Sequence, residues 1–76
     1  MTGEILVDAR GHRCPVPTLR LQRALREAGP EQRVRLLADD PLARIDVPHL
    51  LQSIGARLVE SSAEDGVFSF LVETPA

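Results

Sequence analysis

Hydrophobic and polar residues recur along the first half of this chain with the periods of a strand, a helix and a second strand. The apolar run Glu4–Asp8 predicts a buried strand. A helix is predicted to open at Pro15 and to stop at Gly29, which is followed by proline. Its buried face should consist of Pro17, Leu21, Ala24, Leu25 and Ala28.

Three further segments predict the remaining strands. The segment Arg33–Asp39 alternates between apolar and polar residues, as in a strand that is covered on one side. The segments 57–63 and 67–73 predict two further strands around a turn that contains Gly66. The covered side of the first of these three strands should carry Val34, Leu36 and Ala38.

Two aspartates between the predicted strands 33–39 and 57–63 resemble helix caps. Asp40 precedes a proline and predicts a short helical turn. Asp46 predicts the N-cap of a second helix, with Ile45 and Leu50 at the staple positions and Pro48 in the first turn. The buried face of that helix, which ends at Gly55, should consist of Val47, Leu50, Leu51 and Ile54.

The predicted element order is βαβαββ. Right-handed crossovers place both helices on the same face of the sheet. We therefore expect one α/β (α+β) domain over residues 1–76, a two-layer sandwich with two helices on one face of a four-stranded mixed sheet and an open opposite face.

Composition narrows the class of protein. The 76 residues are 43% hydrophobic but only 3% aromatic, so Phe68 and Phe70 should be the large pieces of an aliphatic core. The single cysteine rules out an internal disulfide. Without a signal peptide or a long apolar stretch, the chain is expected to be soluble and cytoplasmic, without membrane contact, and a monomer or a weak homodimer.

The net charge of −2 conceals an asymmetry between the two halves. Residues 1–35 carry seven arginines against four acidic residues, whereas residues 36–76 carry two arginines against seven acidic residues. The cysteine lies in the basic half.

Cys14 stands where an apolar run ends and a helix is predicted to begin. If Pro15 is the first helical residue, Cys14 is the N-cap, and the amides of Val16 and Thr18 are free to face an anion. Pro15 and Pro17 stiffen the loop. The helix N-terminus, with Arg13 and Arg10 nearby, should lower the pKa of the thiol. The alternative is a cysteine packed beneath the loop, since free cysteine is among the most buried residues.

Other chemistry has less support in the residues. A cysteine hydrolase needs a histidine base, but His12 is on the same loop and His49 is at an unknown distance, and an ordinary surface role is the simpler interpretation of each. We expect no metal site and no cofactor. The acids that could suggest a metal are better explained as a strand end and helix caps; they are Asp39, Asp40 and Asp46.

Two apolar residues of the first helix are not explained by folding. Val16 and Leu19 are predicted on the side opposite the buried face, among arginines. They form either a small docking patch or ordinary exposed surface. The candidate docking residues are Arg10, Val16, Leu19, Arg20 and Arg23.

The segment 8–17, with its Cys-Pro-Val-Pro, resembles the Cys-Pro-x-Pro signature of the TusA/SirA-like sulfur carriers. The segments 38–41 and 46–48 resemble the second signature of that family, at the right spacing. The similarity runs from about Ile5 to Val72. It implies the same βαβαββ fold.

The resemblance further implies that Cys14 accepts a sulfane sulfur as a persulfide from a cysteine desulfurase or another persulfide donor. Cys14 would then pass the sulfur to a downstream acceptor protein, for tRNA thiolation, sulfur oxidation or cofactor sulfuration. The residues expected to stabilise the anionic sulfur are Arg13, Pro15, Val16, Pro17 and Thr18. The tRNA-thiolating members usually have glutamate in place of Val16 and leucine in place of His12, so the pathway stays open.

Two functions of other classes compete with sulfur transfer. The arginines of the first helix would suit a nucleic-acid-binding module, but the negative net charge and the lack of lysine argue against direct nucleic-acid binding. A redox-regulatory module would use Cys14 only as a sensor.

Overall fold

A four-stranded mixed sheet carries both helices in the computed structural model of the chain, which describes residues 4–75. The elements, in chain order, are β1 (Glu4–Asp8), α1 (Val16–Ala28), β2 (Arg33–Ala38), α2 (Ala43–Ile54), β3 (Arg57–Glu64) and β4 (Val67–Glu73). The predicted order βαβαββ is confirmed.

The strands lie in the order β1-β2-β4-β3. β1 and β2 are parallel, whereas β4 is antiparallel to both β2 and β3. A register shift between Leu58 and Glu60 interrupts the β3–β4 ladder. α1 packs on β1, β2 and α2, and α2 packs on β3, so both helices cover the same face of the sheet.

The core lies between the helices and this inner face. The predicted inward residues of β2 are buried, as are Leu21 and Leu25 of α1. Phe70 is buried, while Phe68 is only partly covered. On the open face, Arg35 donates to a carboxylate oxygen of Glu4 at 2.9 Å and to the hydroxyl of Ser69 at 2.7 Å. These bonds tie β1, β2 and β4 together.

The second helix is longer than the one predicted from its capping residues. α2 begins at Ala43 and continues through Asp46 and Pro48, so the prediction that Asp46 is an N-cap is wrong. The reason is packing, because the buried face begins with Ala43 and runs on through Val47 to the end of the helix. Ile45 is 68% exposed, so the predicted staple does not form.

Candidate functional site

The loop that carries Cys14 joins β1 to α1 and is held by two carboxylates at the end of β2. Both carboxylate oxygens of Asp39 accept the N–H of Gly11, at 3.0 Å each. An oxygen of Asp40 accepts the N–H of Cys14 at 2.8 Å. Gly11 has a φ of +85°, which a residue with a side chain adopts only with strain. The loop is therefore anchored at Gly11 and again at Cys14.

Asp40 links this loop to α2. Its other carboxylate oxygen accepts the N–H of Leu42 at 3.0 Å, and its backbone carbonyl accepts the N–H of Ala43 at 3.0 Å. The N–H groups of Leu42 and Cys14 hold the pKa of the Asp40 carboxyl below its usual value. One ionised side chain thus positions the cysteine backbone against the start of the second helix.

Cys14 is not the N-cap of α1. The helix begins at Val16, and Pro15 occupies the N-cap, joined to Cys14 by a cis peptide bond. The expectation that the Val16 amide is free for an anion is also wrong, because that N–H donates to the carbonyl of Arg13 at 2.9 Å in a tight turn. Pro17 is fully buried and belongs to the core.

The Cys14 thiol is half-buried and packs against the edge of the core. Its Sγ lies 3.9 Å from the hydroxyl oxygen of Thr18, which is one turn along α1. Burial raises the pKa of the Cys14 thiol, and the carboxylates of Asp46 and Asp40 raise it further, while the Thr18 hydroxyl lowers it. The prediction of a lowered pKa is therefore wrong, because the thiol is half-buried, lies near acids and is outside the helix cap.

An open cleft of about 470 Å³ lies beside this loop. It is lined by Gly11, His12, Arg13, Asp39, Asp40, Pro41 and Leu42. Within residues 4–75, no group of three or more His, Cys, Asp and Glu side chains is placed to hold a metal ion. Neither helix of this described part is long and apolar enough to cross a membrane.

Comparison with known proteins now identifies the family. A family profile described as "Sulfurtransferase TusA" matches residues 5–74. The chain belongs to the TusA family. A protein of Archaeoglobus fulgidus, provisionally described as a sulfur carrier, is 41% identical over 68 residues, which are 88% of each chain. The sulfur carrier protein TusA of Pseudomonas paraeruginosa is 30% identical over 73 residues, which are 96% of this chain and 92% of that protein.

A solved structure agrees with this assignment. The crystal structure of a SirA-like protein from Desulfitobacterium hafniense superposes with a TM-score of 0.84 at 28% identity, over 95% of this chain and 99% of that one. The resemblance to TusA/SirA-like carriers is therefore confirmed at the level of family and fold.

The candidate docking residues of this TusA-family chain fall into two groups. Val16 and Leu19 are 39% and 56% exposed, as predicted. The arginines are held by local partners. Arg10 donates to both carboxylate oxygens of Asp8, at 2.9 and 2.7 Å, and the pKa of Asp8 falls to about 2 as a result. Arg20 donates to the carbonyl of Asp8 at 2.9 Å.

The third arginine, Arg23, forms an ion pair with Glu27 one turn along α1, at 3.1 Å. Docking by these three arginines stays a prediction. A partner that binds them would have to compete with the bonds that they make to Asp8 and Glu27.

Sequence reasoning missed the acids of the site. From the sequence, Asp39 and Asp40 resemble a strand end and a cap, and Asp46 resembles a second cap. The signal that could have located two of them is topological. β1 and β2 are parallel neighbours, so the segments that follow them meet at one edge of the sheet.

Proposed function

We propose that this chain is a sulfur carrier that accepts a sulfane sulfur on Cys14 as a persulfide and transfers it to an acceptor protein. The observation that carries the proposal is the placement of the sole cysteine. Its thiol is half-exposed on a loop anchored by Asp39 and Asp40, in a chain of the TusA family. An anchored loop presents the sulfur in few orientations, and this lowers the entropic cost of reaching a partner's active site.

The transfer is a thiol–persulfide exchange. The Sγ of Cys14 attacks the terminal sulfur of the donor's cysteine persulfide, a new S–S bond forms, and the donor's S–S bond breaks. The donor cysteine leaves as a thiolate, and Cys14 carries the persulfide. Attack by an acceptor thiol on that terminal sulfur returns Cys14 to its starting form. No net oxidant or reductant is required.

The partners follow from this chemistry. A cysteine desulfurase or another persulfide-bearing protein loads Cys14, and an acceptor protein unloads it. We propose that both dock on the α1 face that carries Val16 and Leu19, in the cytoplasm. The sulfur is destined for tRNA thiolation, sulfur oxidation or cofactor sulfuration.

Loading is tested by incubation with a cysteine desulfurase, pyridoxal phosphate and cysteine, followed by intact mass spectrometry without reductant. We expect an increase of one sulfur atom that a reductant removes. The matched control is Cys14→Ser, which keeps the size of the side chain and should gain no sulfur. Sulfur on the serine variant, or none on the wild type, would contradict the proposal.

Two further assays test the alternatives. A redox sensor would form a sulfenic acid with peroxide but take up no sulfur from the desulfurase. A nucleic-acid-binding module would retain RNA in a salt-dependent way.

A further inference from the structure

The Thr18 hydroxyl contacts the sulfur of Cys14, and the exchange steps described above give it no role. Its oxygen lies 3.9 Å from Sγ, within hydrogen-bonding distance for a sulfur atom, and both residues are half-buried. Thr18 belongs to the first turn of α1, so a rigid element presents the hydroxyl. Within residues 4–75, the Thr18 hydroxyl forms no other side-chain hydrogen bond, and it is therefore available to the sulfur.

Two contacts from different elements hold Cys14 in place. The carboxylate of Asp40, in the loop before α2, accepts the N–H of Cys14 at 2.8 Å. The hydroxyl of Thr18, on α1, contacts Sγ. Only one side-chain torsion lies between the cysteine backbone and Sγ, so contacts at both ends leave the sulfur few positions. Thr18 is thus placed to orient the reacting atom.

The direction of this hydrogen bond depends on the state of the sulfur. Either atom can donate while Cys14 is a thiol, but a thiolate has no proton, so the hydroxyl must donate to it. Burial raises the pKa of the thiol, as do the carboxylates of Asp46 on α2 and Asp40 before it, whereas the Thr18 hydroxyl lowers that pKa. Arg13, which precedes the cysteine, acts on the charge of Asp40. The hydroxyl therefore favours the ionised sulfur, which burial and the acids disfavour.

A thiolate occurs at Sγ twice in the exchange. It is the attacking form of Cys14 during loading, and it is the leaving group when an acceptor thiolate attacks the terminal sulfur of the persulfide. In that second step the Sγ–S bond breaks and its electron pair stays on Sγ. A thiol of lower pKa leaves faster, so a hydrogen-bond donor at Sγ assists release.

We propose that the Thr18 hydroxyl donates a hydrogen bond to Sγ that orients the sulfur for loading and stabilises it as the leaving group in release, an inference that rests on the proposed function of Cys14. The hydroxyl keeps its proton throughout. In release, a new S–S bond forms on the acceptor as the Sγ–S bond breaks, and Cys14 returns as a thiolate bound to Thr18. Atoms and charges balance without an oxidant or a reductant.

Thr18→Val removes the hydroxyl with little change in size and should raise the midpoint of the thiol titration. We expect a rise of about one pH unit, the lower end of what a hydrogen bond to a charged group contributes. The chain has no tyrosine or tryptophan, so the ultraviolet absorbance of the thiolate can be followed to high pH without the titration of a phenol. Thr18→Ser, which keeps a hydroxyl, should recover most of the wild-type midpoint.

Two outcomes of this titration would overturn the proposal. One is a valine variant with the wild-type midpoint, and the other is a serine variant that titrates like the valine variant. Thr18→Ala also lacks the hydroxyl and should show the same rise, so the test does not depend on the folding of one variant. Ser62→Ala is the matched control, because it removes an exposed hydroxyl on β3, at the opposite edge of the sheet from β1. Its midpoint should be unchanged.

Kinetics separate orientation and leaving-group stabilisation from a merely structural role. Above both midpoints, the thiolate of Thr18→Val should react with iodoacetamide about threefold faster than that of the wild type, because nucleophilicity rises with the pKa. Release of sulfur from the loaded variant to glutathione at neutral pH should instead be severalfold slower. It is followed as loss of the one-sulfur mass increase, and release at the wild-type rate would contradict the proposal.

Failure of this inference is distinguishable from failure of the proposed function. Titration and alkylation need no sulfur donor, so a wild-type midpoint in Thr18→Val would remove the role of Thr18 and leave sulfur transfer by Cys14 standing. A wild type that takes up no sulfur from the desulfurase would overturn the proposed function itself, and the role of Thr18 in release with it.

Discussion

Leu19→Asp separates partner docking from folding. Leu19 is 56% exposed, so less than half of its side chain is covered. Full burial of a leucine is worth about 1.5–3 kcal/mol, and the lost burial here is therefore about 0.7–1.3 kcal/mol. An aspartate in the first turn of α1 also gains about 0.3–1 kcal/mol from the helix dipole. The free energy of unfolding should change by less than about 1 kcal/mol.

That change corresponds to a fall in Tm of less than about 4–8 °C for a domain of this size. Leu21→Ala, two residues along the same helix, is the contrasting core variant. Leu21 is fully buried, so its truncation should cost about 2–5 kcal/mol. The measurement is the Tm of both variants by circular dichroism.

Leu19→Asp should reduce sulfur loading far more than it reduces stability. If Leu19 contacts the donor, the charge must be desolvated on docking, and the loading rate of Leu19→Asp should fall tenfold or more, which corresponds to about 1.4 kcal/mol. Leu19→Met, which stays apolar, should load normally. Alkylation of Cys14 by iodoacetamide should be the same in both, since the chemistry at Sγ is untouched. Normal loading of Leu19→Asp would refute docking on this face, and unfolding would refute its surface position.

Three further results are expected. The alkylation rate of wild-type Cys14 should reach its midpoint above the ordinary thiol value, because burial, Asp46 and Asp40 disfavour the thiolate; a midpoint below about 8.5 in the pH–rate profile would contradict this. The Arg10 side chain lowers the pKa of Asp8, so this pair stabilises the fold fully above about pH 4 and loses that effect as the pH falls toward about 2. In Asp8→Asn, the free energy of unfolding measured in urea should therefore fall less steeply over that range. An equally steep fall would argue against the Asp8–Arg10 pair. Gly11→Ala should lower the stability by about 1–2 kcal/mol through its positive φ, and an unchanged Tm would show that the loop relaxes.

Much of the fold follows from local sequence pattern. β4 runs from Val67 to Glu73, as predicted from the turn that precedes it, and α1 ends just before Gly29, as its helical face predicts. The predicted start of α2 is wrong because two local signals, Asp46 and Pro48, indicate a start later than that of the buried face, which begins at Ala43. The packing of that face outweighs the local preference.

The chemistry at the site was less accessible to sequence reasoning. The context of Cys14 predicts that it is the reactive residue, but the pKa of its thiol depends on burial and on groups that are distant in sequence. Asp40, which anchors its amide, is 26 residues away, and Asp46 belongs to another helix. Arg10 is adjacent in sequence, yet its guanidinium bonds to Asp8. Which charged groups lie near the sulfur is therefore apparent only from the fold.

The central claim is that Cys14 both receives and releases sulfur, and a pulse and chase with radiolabelled cysteine tests it most directly. The wild type is loaded by the desulfurase, separated from it, and mixed with an unlabelled thiol acceptor. We predict one labelled sulfur per chain after loading and its transfer to the acceptor in the chase, with neither in Cys14→Ser. Label that is absent from the wild type, that persists through the chase, or that also appears on the serine variant would contradict the account.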